Sequence, residues 1–284
     1  GVAQGGMVDT PDGDWYAFMF QDRGALGRAP VLMPMHFEDG FPIIGENGKV
    51  PEVVTVLDTG YQYAAINGSD DFFYKPDENG QITLKNFWEF NHQQMDDFWS
   101  VTENPGHLRL HSAKLSPTLF QAYNTLTQRT VGPKCAAEVT LRFAHMKNGD
   151  VAGISTFIGN YGFTGVKKEN DQFYLIMMGR PAKDTTVFGQ FEYENPGLEY
   201  ARVPIYGESI CLRAEADFTD KRDLSSFYYK EGDNWQKLGI DQPMYFKMDL
   251  FTGCRFGLFY YSTEQTGGYV DFSKFQFIWP EYVY

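Results

Sequence analysis

Two histidines, His107 and His111, bracket Leu108-Arg109-Leu110. On a strand, alternate side chains share a face, so both imidazoles and Arg109 point one way and the leucines the other. A zinc centre needs at least a third protein ligand. None is suggested nearby, so the face reads as solvated. Acidic pairs occur at Glu38-Asp39, Asp70-Asp71 and Asp96-Asp97. Acid–base cleavage of a glycosidic bond needs two carboxylates held apart across that bond. Sequence neighbours on a strand point to opposite faces, so none of these pairs suits the task. No Gly-x-Ser-x-Gly elbow, His-Glu-x-x-His or phosphate loop is present. Gly159, Gly162 and Gly165 recur every third residue but lack the dinucleotide fingerprint and its strand-to-helix setting, and they read as a tight loop between strands. Cys135, Cys211 and Cys254 match no zinc or redox spacing, and an odd number leaves at least one thiol free. They read as small buried apolar residues.

The elements that must carry such residues are strands. The chain has 284 residues, 43% apolar and 17% aromatic, with 29 Gly and 14 Pro, enough for a sizeable core. Asp14 to Phe20 follows the turn Pro11-Asp12-Gly13. Cys135 to Phe143 alternates and stops at Lys147-Asn148-Gly149-Asp150. Gly153 to Ile158 and Phe173 to Met178 have the continuous apolar character of buried strands. Ser226 to Lys230 and Trp235 to Leu238 flank Glu231-Gly232-Asp233-Asn234, a hairpin signal. Phe256 to Tyr261 and Tyr269 to Ile278 add two more strands. Strands at this spacing without helical periodicity predict an all-β sandwich or barrel. The stretch between about Val50 and Lys85 turns polar and Gly/Asn/Asp-rich. The organisation expected is therefore an N-terminal piece (1–52), a linker or loop (53–83) and a β-sandwich (84–284).

The formal net charge of −13 argues against nucleic acid or an anionic membrane surface as partner. A neutral sugar remains compatible. No run of 18 apolar residues marks a transmembrane helix. No signal peptide is visible, and Asn67-Gly68-Ser69 is a lone glycosylation sequon. The compartment is therefore unknown, with a secreted or periplasmic location slightly favoured.

Two sets of residues resemble one known family. The first runs from Gly5-Gly6-Met7-Val8-Asp9 through Asp14-Trp15-Tyr16, Gly27-Arg28-Ala29-Pro30 and Glu38-Asp39-Gly40-Phe41-Pro42. It resembles the end of the catalytic propeller of glycoside hydrolase family 43, the β-xylosidase and α-L-arabinofuranosidase family. The second comprises Trp88 to His92, Trp99 to Leu110, Asn124 to Pro133, Asp150 to Gly153, Phe251-Thr252-Gly253 and Asp271 to Phe275. It resembles that family's C-terminal sandwich, in the same order.

The resemblance implies the last portion of a five-bladed β-propeller followed by a concanavalin-like or jelly-roll β-sandwich. It implies hydrolysis of xylosidic or arabinofuranosidic bonds of plant hemicellulose with inversion, using a Glu general acid and an Asp general base. Those acids belong to earlier blades, and at about 40–50 residues per blade five blades need roughly 200–250 residues. The chain, which opens on Gly1, is therefore expected to begin after them, and no catalytic residue is assigned. Asp9 and Asp39 match positions outside the family's catalytic trio. By resemblance Arg28 contacts substrate or the base, with a structural arginine between blades as the other reading. Gln4 stands where many members carry a His near a central metal or water; Gln is a poorer ligand, so the resemblance implies a substrate-side hydrogen bond near the axis instead. Phe251 either walls the sugar pocket or packs in the core. Asp271 is a candidate ligand for a structural Ca²⁺, and no cofactor is required. The expected partners are a xylo- or arabino-oligosaccharide and an N-terminal propeller part, with a homo-oligomer left open. A non-catalytic carbohydrate-binding or accessory sandwich is the alternative function.

Overall fold

The computed structural model describes residues 1–181, 194–245 and 252–279. Among these, the regular structure is strands and four short 3-10 turns. The N-terminal strands β1 (Ala3–Asp9), β2 (Trp15–Asp22), β3 (Arg28–Glu38) and β4 (Phe41–Ile44) form one antiparallel meander in chain order. Its two-residue periodicity is visible in the pairing. Ala17 opposes Met33 and Trp15 opposes Met35 on a face where these residues cluster with Met19 and Val31. Phe18 and Val8 lie on the opposite face and are exposed. A four-stranded meander of this kind has the form of one propeller blade.

Fifteen further strands build the sandwich: β5 (Glu89–Phe90), β6 (Trp99–Ser100), β7 (Leu108–His111), β8 (Leu126–Arg129), β9 (Lys134–Arg142), β10 (Asp150–Phe157), β11 (Gly162–Glu169), β12 (Gln172–Gly179), β13 (Leu198–Ile205), β14 (Ser209–Asp217), β15 (Leu224–Glu231), β16 (Asn234–Lys237), β17 (Gln242–Pro243), β18 (Arg255–Ser262) and β19 (Tyr269–Ile278). One sheet runs β13-β12-β11-β10-β18-β8-β5. The other runs β16-β15-β14-β9-β19-β7-β6, with β17 on β15. Every named pair is antiparallel.

Alternation fixes which side chains fill the space between the sheets. On β9 Val139 and Leu141 point inward, and on β14 Leu212 and Ala214 do, meeting Ile154, Val166 and Leu258 from the facing sheet. Strands β10 and β18 are apolar on both faces because the outer side of their sheet is also covered. There Tyr161, Phe163, Phe259 and Tyr261 pack with Leu119 and Phe120 from the segment before β8. This explains why their sequences run continuously apolar rather than alternating.

The expected strands are present, and the glycine triplet behaves differently from its reading as a loop. Gly162 and Gly165 belong to β11, and the connection from β10 is residues 158–161. Gly165 pairs with Gly153, where a Cβ would lie 2.2 Å from the Ala152 carbonyl oxygen. The expected linker 53–83 is also tied into the sandwich at its far end. Asp70 and Phe275 exchange backbone hydrogen bonds of 2.9 and 3.0 Å, and Phe72 is fully buried against Trp88. The Asp70 carboxylate accepts from Trp88 Nε1 (2.8 Å), Phe72 N (3.0 Å) and the Tyr74 hydroxyl, and Lys85 Nζ lies 3.0 Å away. A buried acid so completely satisfied is an anchor, which is why a polar stretch can end inside a core.

Candidate functional site

The N-terminal sheet meets the sandwich through the turn between β2 and β3. Residues Gly24–Leu26 form a 3-10 turn closed by Arg23 N donating to Gly27 O at 2.9 Å. Ala25 at its tip is fully buried and joins the sandwich core with Leu26. Its N–H donates to the Asp223 carboxylate at 3.0 Å, and its carbonyl accepts from Cys254 N at 2.7 Å. Gly27 and Gly253 lie back to back, with φ of 90° and 74°. A Cβ on Gly27 would come 2.6 Å from Gly253 N, and one on Gly253 would come 2.2 Å from Leu26 O. Only glycine allows both this backbone contact and these left-handed dihedrals.

This seam determines where Arg28 stands. It is the first residue of β3, directly after Gly27, and it pairs across the sheet with Asp22. Its Nε donates to Asp22 Oδ1 at 3.1 Å, and its guanidinium stacks over the Phe20 ring at 4.0 Å from the centroid. The guanidinium is partly buried, and planar stacking with a carboxylate on one edge orients it. Gln4 lies at the same end of the sheet, at a bulge between Ala3 and Gly5 with φ of 48°, and is exposed. Ala3 pairs with Phe20, so Gln4, Phe20, Asp22 and Arg28 cluster at one end of the meander. Across the seam, Thr252-Gly253 follows Phe251, which lies outside the described residues.

Asp9 and Asp39 fall at the other end. Asp9 pairs with Trp15, and Asp39 sits in the β3–β4 turn. At about 3.3 Å per residue, the eleven-residue β3 separates Asp39 from Arg28 by roughly 35 Å. Neither acid can act with Arg28. Asp70 is the structural anchor described above, and Asp96 accepts hydrogen bonds from Gln94 and Trp99 Nε1 in an exposed turn. The sequon asparagine has its Nδ2 buried, out of reach of a glycan.

Asp271 does not fit a calcium ligand set. Arg109 grips it with Nε on Oδ1 (2.7 Å) and Nη2 on Oδ2 (2.8 Å), and Asn104 Nδ2 adds a third bond at 2.9 Å. Burial alone would push this carboxyl up, but the Arg109 and Asn104 hydrogen bonds outweigh it and hold it below the usual range. Among the described residues no three His, Cys, Asp or Glu side chains gather to hold a metal. Calcium takes six to eight oxygens, and here the would-be ligand is paired with a cation instead. Arg109 also stacks on Tyr269 at 4.1 Å and, with His111, contacts Glu103. The histidine-bearing face is thus a largely covered ladder of polar pairs rather than the open solvated face that alternation suggests. Cys135 and Cys254 are buried free thiols and Cys211 is half-buried.

Two residues of the seam were not singled out from sequence. Asp22 sits six positions before Arg28, and the only signal would be the short hairpin between them. Asp223 lies 198 residues from Ala25 and carried no local signal.

A family model described as the β-xylosidase C-terminal concanavalin A-like domain matches residues 77–278. A β-xylosidase of Formosa agariphila is 27% identical across 97% of this chain and 48% of its own length. A putative β-xylosidase of Xylanibacter ruminicola is 30% identical across 63% of this chain and 33% of its own. Among solved structures, a bifunctional GH43-CE protein of Bacteroides eggerthii is 38% identical with a TM-score of 0.83, covering 98% of this chain and 34% of that one. The chain therefore spans a third to a half of the length of these relatives.

Proposed function

The chain belongs to the family of β-xylosidase C-terminal concanavalin A-like domains of glycoside hydrolase family 43, and from that premise we propose that it forms the blade-and-sandwich portion of an enzyme that hydrolyses xylosidic or arabinofuranosidic bonds of hemicellulose with inversion. The observation that carries this reading is the seam. The Gly27–Gly253 contact sets Arg28 on the blade edge beside the Thr252-Gly253 segment of the sandwich.

In this reading Arg28 faces the sugar or the carboxylate that activates water. Asp22 and Phe20 hold its guanidinium, whose planar donors can fork onto sugar hydroxyls or a carboxylate. Inversion needs an acid and a base about 6.5–9.5 Å apart with water between them. Asp9 and Asp39 lie at the far end of the sheet from Arg28, and Asp22 is engaged by its guanidinium. The Glu acid and Asp base are supplied by a propeller portion that completes the barrel of blades. Arg28 then contributes binding, and the Asp271 carboxylate, gripped by Arg109, takes no part in the chemistry.

The test is turnover of 4-nitrophenyl β-D-xylopyranoside and α-L-arabinofuranoside. The 284-residue chain alone is expected to be inactive, and a chain with the propeller portion supplied is expected to turn over one or both with inverted product. Turnover by the isolated chain, or retained stereochemistry in the complete enzyme, would overturn the assignment.

A further inference from the structure

The outer face of the larger sandwich sheet carries a groove of about 420 Å³ over strands β9, β14 and β15. That volume is within the roughly 300–1,000 Å³ usual for small-ligand sites. Its depth has a simple origin. The outward positions of β9 are Lys134, Ala136 and Glu138, so a methyl group stands between two long side chains. Ala136 pairs with Glu215, and Glu215 with the short Ser226 on β15.

The groove's cations all face carboxylates: Lys134 and Arg222 share Asp217 at 3.0 and 3.7 Å, while the buried Nε of Arg213 is left without a partner. Arg213 gives Nη1 to Glu138 (3.2 Å) and lies 2.8 Å from Glu215 through Nη2. Lys237 Nζ and Ser226 Oγ each lie 2.5 Å from Asp241 Oδ1. Tyr228, half-buried, adds a flat ring along the same wall, and Trp235 flanks Arg213 at 5.6 Å. An anion would find these cations already neutralised, in a chain of net charge −13. An apolar ligand would bury ion pairs at a cost. The ligand that matches is neutral and rich in hydroxyls, with an apolar face for the ring. The groove also starts beside the seam. Arg222 and Leu224 line its end and flank Asp223, the residue that clasps the turn before Arg28.

We propose that this groove is a second glycan-binding site, which holds the neutral main chain of xylan away from the bond being cleaved. The choice of sugar rests on the function proposed above, whereas the site itself rests on the groove.

The experiment is titration of the 284-residue chain with xylohexaose, followed by amide chemical shifts and calorimetry. Saturable binding is expected, with shifts centred on β14–β16. Tyr228→Ala and the edge-strand variant Lys237→Ala should each weaken it at least tenfold while the melting temperature of the Lys237 variant stays within about a degree of the parent. A tri- or hexagalacturonate, the anionic counterpart, should bind more weakly. In the complete enzyme both variants should lower turnover of xylan and leave nitrophenyl xyloside turnover unchanged. Absence of saturable xylohexaose binding, binding indifferent to both substitutions, or tighter binding of the galacturonate would overturn the proposal. Loss of nitrophenyl turnover in the parent would instead count against the catalytic reading, so the two failures are distinguishable.

Discussion

Replacing Gly27 by alanine should uncouple the N-terminal sheet from the sandwich while leaving each able to fold. The new Cβ would stand 2.6 Å from Gly253 N, 2.7 Å from Gly253 Cα and 2.8 Å from the Thr252 carbonyl carbon. All three are backbone atoms, so no side chain can swing away. The φ of 90° adds about 1–2 kcal/mol for an L-residue in left-handed backbone. Separating the strands enough to relieve the clash breaks Cys254 N to Ala25 O, about 0.5–1.5 kcal/mol, and Ala25 N to the Asp223 carboxyl, about 1–3 kcal/mol. Together these contributions come to roughly 3–6 kcal/mol of coupling, or two to four orders of magnitude in the opening equilibrium. Gly40→Ala is the control, because it has φ of 82° with nothing within 4 Å of its Cβ position. It incurs the backbone cost alone. Native-state hydrogen exchange of β1–β3 amides reads the opening directly. With the backbone cost common to both, the remaining roughly 1.5–4.5 kcal/mol predicts that protection falls at least about tenfold in Gly27→Ala relative to Gly40→Ala, with sandwich amides of β9 and β14 little changed. Equal effects of the two substitutions would refute the close-packed seam.

Three more outcomes follow from the same structure. Asp70→Ala strands the Trp88 indole and Tyr74 hydroxyl in a buried site, a loss of about 3–5 kcal/mol. At about 2–4 °C per kcal/mol for a domain of this size, the melting temperature should drop by roughly 6–20 °C in a thermal scan. Asp271 is held below its unfolded value by Arg109 and Asn104, so its contribution is present above the unfolded pKa and is lost as pH falls through the folded one. Denaturant unfolding should therefore show a shallower acid limb in Asp271→Asn than in the parent. Burial pushes the Cys135 thiol up to about 12 and Cys254 well up, and Cys211 is also raised. A thiol reagent at pH 8 should label at most Cys211 in the native protein and all three after unfolding.

What the sequence made legible was whatever depended on local alternation and turns. The β15–β16 hairpin followed from Glu231-Gly232-Asp233-Asn234, and the outward face of Arg109 and His111 from the leucines between them. Strands such as β13 were not legible, because Leu198–Ile205 is an edge strand with exposed side chains and no apolar alternation. The polar stretch 53–83 hid Asp70 and Phe72, whose partner Trp88 lies beyond it and whose backbone partner Phe275 is at the far end of the chain. Asp271 is a candidate calcium ligand only by resemblance, and its partner Arg109 lies 162 residues away across a strand register that no local pattern encodes. The seam is the extreme case. Gly27 and Gly253 each look like ordinary turn glycines, and only their mutual contact shows why neither can carry a side chain. The role given to Arg28 rests on resemblance, and its orientation by Asp22 and Phe20 is visible only in the folded sheet.

The central claim is that the blade edge at Arg28 faces the sugar. Its most direct measurement is kcat/KM on nitrophenyl xyloside and arabinofuranoside for Arg28→Lys and Arg28→Ala, with the propeller portion supplied. Loss of a charged hydrogen bond to substrate or base predicts a fall of at least tenfold to a hundredfold for alanine, at about 1.5–3 kcal/mol. Lysine should recover little of it, because an ammonium cannot fork, and the melting temperature should remain near that of the parent. Unchanged kcat/KM in Arg28→Ala, with the fold intact, would contradict the account.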